Sequence, residues 1–162
     1  MTLDADTLLA LHALYADYAA ALDHGELARW PDFFTEDGVY RLQSRENFDR
    51  GLPLATLSFE SRGMLKDRVY GASETIYHDP YFQRHIVGLP RLLAREGEGA
   101  GQVLRCEANY VVIRTKRDAM PEILSVGRYL DRIVATPEGL RFAERLAIFD
   151  NDLIANSLIY PV

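Results

Sequence analysis

A single cysteine, Cys106, stands in a chain of 162 residues. One thiol forms no intrachain disulfide, and it is too few for a Cys-rich zinc site or for an iron–sulfur cluster held by two or more cysteines. Lysine is nearly absent: Lys66 and Lys116 are the only two among 18 basic residues, the rest being arginine. Acidic residues number 24, for a net charge of −6. The basic stripe that phosphate-backbone binding requires is missing, which argues against a nucleic-acid partner. No apolar run approaches the roughly 18 residues of a membrane span. The stretch Met1 to Asp6 is acidic and lacks the charged-then-apolar layout of a signal peptide. No glycine-rich loop opens a helix as a phosphate cradle, and no serine sits in a nucleophile elbow. The expectation is a soluble, cytoplasmic protein with no membrane contact.

What is present is an ordinary globular composition, 48% apolar and 26% charged. At roughly 100–200 residues per domain, residues 1–162 make one domain. A chain of this size buries ~70% of its unfolded surface, enough for a core without staples. The arginine excess suits buried ion pairs and subunit interfaces, and equally the codon bias of a GC-rich genome.

Leu8, Leu11, Tyr15, Tyr18 and Leu22 recur at helical spacing, so the first segment reads as a helix, capped by Asp4 or Asp6 and stopped at His24-Gly25. A short second helix over 26–34 is interrupted by Pro31. Asp37-Gly38 reads as a turn before a short strand, Val39 to Leu42, and 43–60 as irregular. A third helix starts near Ser61, buries Leu65, Val69, Ala72 and Ile76, and ends before Pro80. The period then changes. Arg84 to Arg95, Gln102 to Lys116, Ile123 to Ala135 and Leu140 to Asp150 are strand-like, separated by turns at 97–101, 118–121 and 137–139. Helices first and strands after give an α+β fold: a curved, mostly antiparallel sheet with the N-terminal helices packed in its concave face.

Few residues carry chemistry. His12 and His24 read as surface or capping residues. His78, Asp79 and His85 offer the two-histidine, one-carboxylate set of a non-haem iron site, but adjacent side chains diverge and Asp79-Pro80 is itself a turn initiator. His85 opens a strand on the concave face, and Asp23 ends the helix lying across it. A histidine backed by a carboxylate can act as a general base, or be a hydrogen-bonded core residue. Cys106 lies in an apolar strand and reads as a small buried hydrophobe. A catalytic pair, if there is one, is Asp23 with His85; no residue set suggests a cofactor or metal held by this chain.

The segments Arg29 to Leu42 (RWPDFFTEDGVYRL), Glu46 to Pro53 (ENFDRGLP), Glu60 to Gly71 (ESRGMLKDRVYG) and Glu74 to Gly88 (ETIYHDPYFQRHIVG) resemble the small, or β, subunit of Rieske-type aromatic-ring-hydroxylating oxygenases, nearest in look to the salicylate 5-hydroxylase and terephthalate dioxygenase branch. The resemblance implies a cone-shaped roll like scytalone dehydratase and nuclear transport factor. It also implies a large α subunit carrying the Rieske 2Fe–2S cluster and a mononuclear iron, fed with electrons from NAD(P)H. Three α and three β subunits would assemble with the small subunits as a trimeric stem, and the β subunit would be structural and non-catalytic. The same cone could instead house a small ligand-binding module, or a free-standing dehydratase- or isomerase-type enzyme. Scytalone dehydratase and its relatives use an aspartate and a histidine where Asp23 and His85 stand, together with a second histidine and tyrosines. Val103 to Asn109 supplies no second histidine, and Leu22 stands where a tyrosine is expected.

Overall fold

The computed structural model describes residues 4–97, 101–155 and 158–162. Helix α1 spans Ala5–Asp23 and is capped by Asp4, whose carboxylate accepts from the Thr7 N–H at 2.8 Å. Its stripe of Leu11, Tyr15, Tyr18 and Leu22 is buried as the spacing predicts, whereas Leu8 is exposed. The second helical segment, Leu27–Phe33, is 3₁₀ rather than α, with Pro31 inside it. Strands follow as β1 Phe34–Ser44, β2 Leu57–Phe59, β3 Tyr81–Val87, β4 Arg91–Glu96, β5 Val103–Lys116, β6 Glu122–Thr136 and β7 Gly139–Phe149. Helix α2, Arg45–Asp49, lies between β1 and β2. Helix α3, Arg62–Tyr70, is capped by Ser61 and runs into a π-helical turn, Gly71–Thr75. No helix among the described residues is long and apolar enough to cross a membrane.

The sheet runs β2-β1-β7-β6-β5-β3, with β4 also paired to β5. Strands β5, β6 and β7 form the expected meander. The pairing of β1 with β7 is parallel, and all other pairs are antiparallel. Three expectations need correction. Asp37-Gly38 is not a turn but part of a bulge inside a longer β1: the register with β7 jumps between Phe34 and Val39. A Cβ on Gly38 would stand 2.8 Å from the Phe34 Cβ, so this tight bend requires glycine. The segment 43–60 holds α2 and β2 rather than being irregular throughout. The single strand expected from Arg84 to Arg95 is two, β3 and β4, broken at Gly88-Leu89-Pro90 and paired with separate stretches of β5. Of the expected 97–101 turn, positions 98–100 lie outside the described residues, as do Met1 to Leu3.

Aromatic side chains fill the space between α1 and the sheet. Trp30 packs edge-on against Tyr40 at 5.2 Å and donates to the Tyr18 hydroxyl at 3.1 Å. Ile159 and Val162 return to this core, and Arg68 donates to the carbonyls of Leu158 and Ile159 at 3.0 and 2.8 Å. The C-terminal stretch thus divides, its last residues joining the core while Leu153 and Ile154 are exposed. At Gly127 an added Cβ would fall 1.9 Å from the Ile148 carbonyl, so β6 and β7 approach as closely as they do only with glycine there.

At the centre lies a buried ion pair. Arg145 donates through Nε and Nη2 to the two oxygens of Asp131 at 3.0 and 2.8 Å, and both side chains are fully buried. The guanidinium sits 3.9–4.2 Å from the ring centres of Phe142, Tyr129 and Tyr18, and the Tyr15 hydroxyl donates to Asp131. Burial opposes the charge on Arg145, and the adjacent Asp131 carboxylate outweighs it, holding the guanidinium protonated. Burial, and then the charge of Asp131, keep the Tyr15 hydroxyl well above the usual phenol range. Replacing Asp131 with Asn is expected to cost about 3–5 kcal/mol, because it leaves the Arg145 charge buried without its counter-ion; urea unfolding of both proteins measures it.

Candidate functional site

Helix α1 closes with His24, whose N–H bonds the Ala20 carbonyl at 2.9 Å, and Gly25 turns away at φ +75°. This sets the Asp23 carboxylate against the free edge of β3. One oxygen accepts from the His85 backbone N–H at 2.8 Å, and the other lies 2.6 Å from His85 Nδ1. A single carboxylate therefore caps an unpaired strand-edge donor and fixes the ring. With Nδ1–H turned to Asp23, the neutral imidazole carries its lone pair on Nε2. The His85 side chain is wholly buried, and Nε2 has no hydrogen-bond partner among the described residues. The structure thus unites the two residues the sequence singled out, from positions 62 apart.

A cleft of about 560 Å³ opens beside the pair, between Ala16, Ala19 and His12 of α1 and the Val87–Pro90 connection. A smaller one of about 400 Å³ lies on the other side of Asp23, against Leu27, Tyr81 and Tyr160. The concave interior of the sheet is occupied by Tyr18, Trp30, Tyr110, Tyr129, Phe142 and Arg145. A base, an orienting carboxylate and an adjoining cleft are parts of a general acid–base site; the other titratable rings of the cleft lining are His12, His24 and Tyr15, and the Tyr15 hydroxyl is engaged by Asp131.

The iron-type triad does not assemble. His78 Nε2 lies 3.0 Å from the Tyr160 hydroxyl, Asp79 faces Lys116 at 3.8 Å, and His85 is committed to Asp23. Among the described residues no three His, Cys, Asp or Glu side chains group as a metal site. Sequence reasoning missed the Asp131–Arg145 pair, although a signal existed: counting back by twos from Phe149 through Ala147 puts Arg145 on the core face of β7. Cys106 is buried on the core face of β5, where burial, and then the negative Asp131, push its thiol up to about 12. In the native protein at about pH 8 it is expected to resist a thiol-reactive disulfide reagent and to react fully once denatured. Absorbance of the released thiolate with and without denaturant reads this directly.

The chain matches the model of the SnoaL-like domain over residues 4–146. It is 32% identical to the anthranilate 1,2-dioxygenase small subunit of Burkholderia cepacia, across 100% of this chain and 98% of that one. It is 28% identical to a β subunit of the terephthalate 1,2-dioxygenase terminal oxygenase component of a Comamonas species, across 95% and 97%. A crystal structure from Novosphingobium aromaticivorans, assigned as the β subunit of an aromatic-ring-hydroxylating dioxygenase, superposes with a TM-score of 0.85 at 33% identity, covering 96% of this chain and 97% of that one. The fold alone is shared with a scytalone dehydratase-like protein from the same organism, at 14% identity and a TM-score of 0.68, covering 95% and 91%. These agree with the expected cone-shaped roll. The chain belongs to the SnoaL-like domain family and, within it, to the small subunits of aromatic-ring-hydroxylating dioxygenases.

Proposed function

We propose that the chain is the non-catalytic structural β subunit of a cytoplasmic ring-hydroxylating oxygenase in aromatic-compound catabolism. It would hold together large α subunits that carry a Rieske 2Fe–2S cluster and a mononuclear iron, supplied with electrons from NAD(P)H. Three α and three β subunits would assemble, the β subunits forming a stem. The observation that carries this reading is similarity along the whole chain to the small subunit from Burkholderia cepacia, 32% over 163 residues. Two features of the molecule support it. Side chains fill the concave interior, and His78, Asp79 and His85 are each engaged by a different neighbour.

Co-expression of the tagged chain with an untagged α subunit tests the proposal. The two should copurify, with iron in proportion to the α subunit, while the chain expressed alone folds and stays colourless. Stoichiometric metal on the chain alone would overturn the reading.

One observation favours a second reading, a small dehydratase- or isomerase-type enzyme: the Asp23–His85 pair stands beside an open cleft. Replacing His85 with Gln separates the two. A general base contributes ~10²–10⁴-fold, which the variant would lose with the fold intact. A structural histidine instead costs about 1–3 kcal/mol when its buried partner is left poorly paired. The expected result is a lower melting temperature of the assembled complex, with turnover per iron within a few-fold of wild type.

A further inference from the structure

Gln83 of β3 is 4% exposed, and its side-chain amide is only half used. Nε2 donates to the Leu22 carbonyl at 3.3 Å, while Oε1 has no hydrogen-bond partner among the described residues. The amide cannot be turned over, because Oε1 would then face that carbonyl. A buried acceptor left empty costs stability, and each such group calls for an explanation. Gln83 lines the cleft of about 400 Å³ between the end of α1, Leu27 and the start of β3, a volume in the range of small-molecule sites. Its aromatic walls are held in place. The Tyr81 and Tyr160 rings meet edge to face at 5.3 Å, Arg114 lies over Tyr81 at 5.5 Å, and the Tyr160 hydroxyl stands 3.0 Å from His78 Nε2. Arg84 also lines this cleft. Its Nη1 donates to the carbonyls of Asp23 and Gln83 at 3.1 and 3.0 Å, and no carboxylate pairs with it among the described residues. Asp23, the one acid of the lining, is taken by His85.

We propose that this cleft binds a single-ring aromatic acid that carries a hydroxyl, the hydroxyl donating to Gln83 Oε1 and the carboxylate meeting Arg84. Each part of that chemistry answers one part of the site. An amide oxygen accepts only, so the occupant must bring a donor. Flat aromatic walls take a planar ring edge-on or offset. A guanidinium without a counter-ion takes a carboxylate through its planar fork. Oε1 is closed to solvent, and the hydroxyl reaches it with the side-chain adjustment that commonly accompanies binding. The inference goes beyond the structural-subunit reading: it gives the chain a ligand site of its own, and no bond is made or broken there.

The test is calorimetric titration of the full chain with 4-hydroxybenzoate, benzoate and phenol. The first should bind with a Kd below ~1 mM, and the other two, each lacking one polar end, at least ~tenfold more weakly. Gln83→Leu should abolish the preference for 4-hydroxybenzoate over benzoate, and Arg84→Gln the preference over phenol. Arg91→Gln, on β4 outside the cleft, should change neither. Amide shifts on adding 4-hydroxybenzoate, read by NMR, are expected at Gly25, Gln83 and Tyr160. If Gln83→Leu fails to fold, the three compounds on the wild-type chain decide the matter. Benzoate or phenol binding as tightly as 4-hydroxybenzoate overturns the proposal, as does the absence of binding. Shifts confined to Ala16 and Ala19, in the cleft on the other side of Asp23, also overturn it. Failure of the structural-subunit reading looks different: no α subunit then copurifies, whatever the titrations show.

Discussion

Everything inside this cone is arranged around one buried charge. Arg145 comes from β7 and Asp131 from β6, and neither has any contact with solvent. Removing two ions from water costs several kcal/mol each, recovered only with near-ideal geometry and satisfied hydrogen bonds. The bidentate contact provides the geometry, the Tyr15 hydroxyl serves the carboxylate, and aromatic faces provide negative potential around the guanidinium. These demands place Tyr15 and Tyr18 of α1, which fixes how the helix lies on the sheet. An apolar core of the same volume would hold the layers together as well. The ion pair adds direction, because an α1 rotated by a residue would take the Tyr15 hydroxyl from Asp131 and the Tyr18 ring from Arg145.

The Asp23–His85 contact obeys the same logic at the edge. The carboxylate at the end of α1 closes the free margin of β3 by accepting from its backbone and its imidazole together. It joins the last turn of the helix to the strand that borders the open cleft. Geometry that would orient a base in an enzyme here also performs a mechanical task.

Much of this was legible in the sequence. The helical stripe of α1, the cap at Ser61 and the three long strands follow from periodicity and turn chemistry, since each is decided by neighbours in the chain. The pairing of Asp23 with His85 was legible because Asp23 ends α1 and His85 lies in a strand of the concave face, although β3 begins at Tyr81 and His85 stands inside it rather than at its head. What failed was decided by distant partners. Gly38 looks like a turn residue until its strand has β7 to bulge against. The break at Gly88 to Pro90 is the exception, marked locally by a glycine and a proline inside a run of strand formers, and the two pieces pair with separate stretches of β5. The commitment of His78 to Tyr160 likewise depends on a C-terminal segment 82 positions away.

The parallel pairing of β1 with β7 has a consequence for how the chain reaches its shape. Strands β5, β6 and β7 join neighbours through short hairpins, whose closure takes on the order of microseconds. Leu42 meets Ala147 only after more than a hundred residues have been made, and loop closure over such a span comes late. During synthesis α1, the Trp30 segment and β1 therefore emerge without the surface that will cover their aromatic side chains. The order of elements along the chain leaves the N-terminal third with its aromatic surface uncovered for longest.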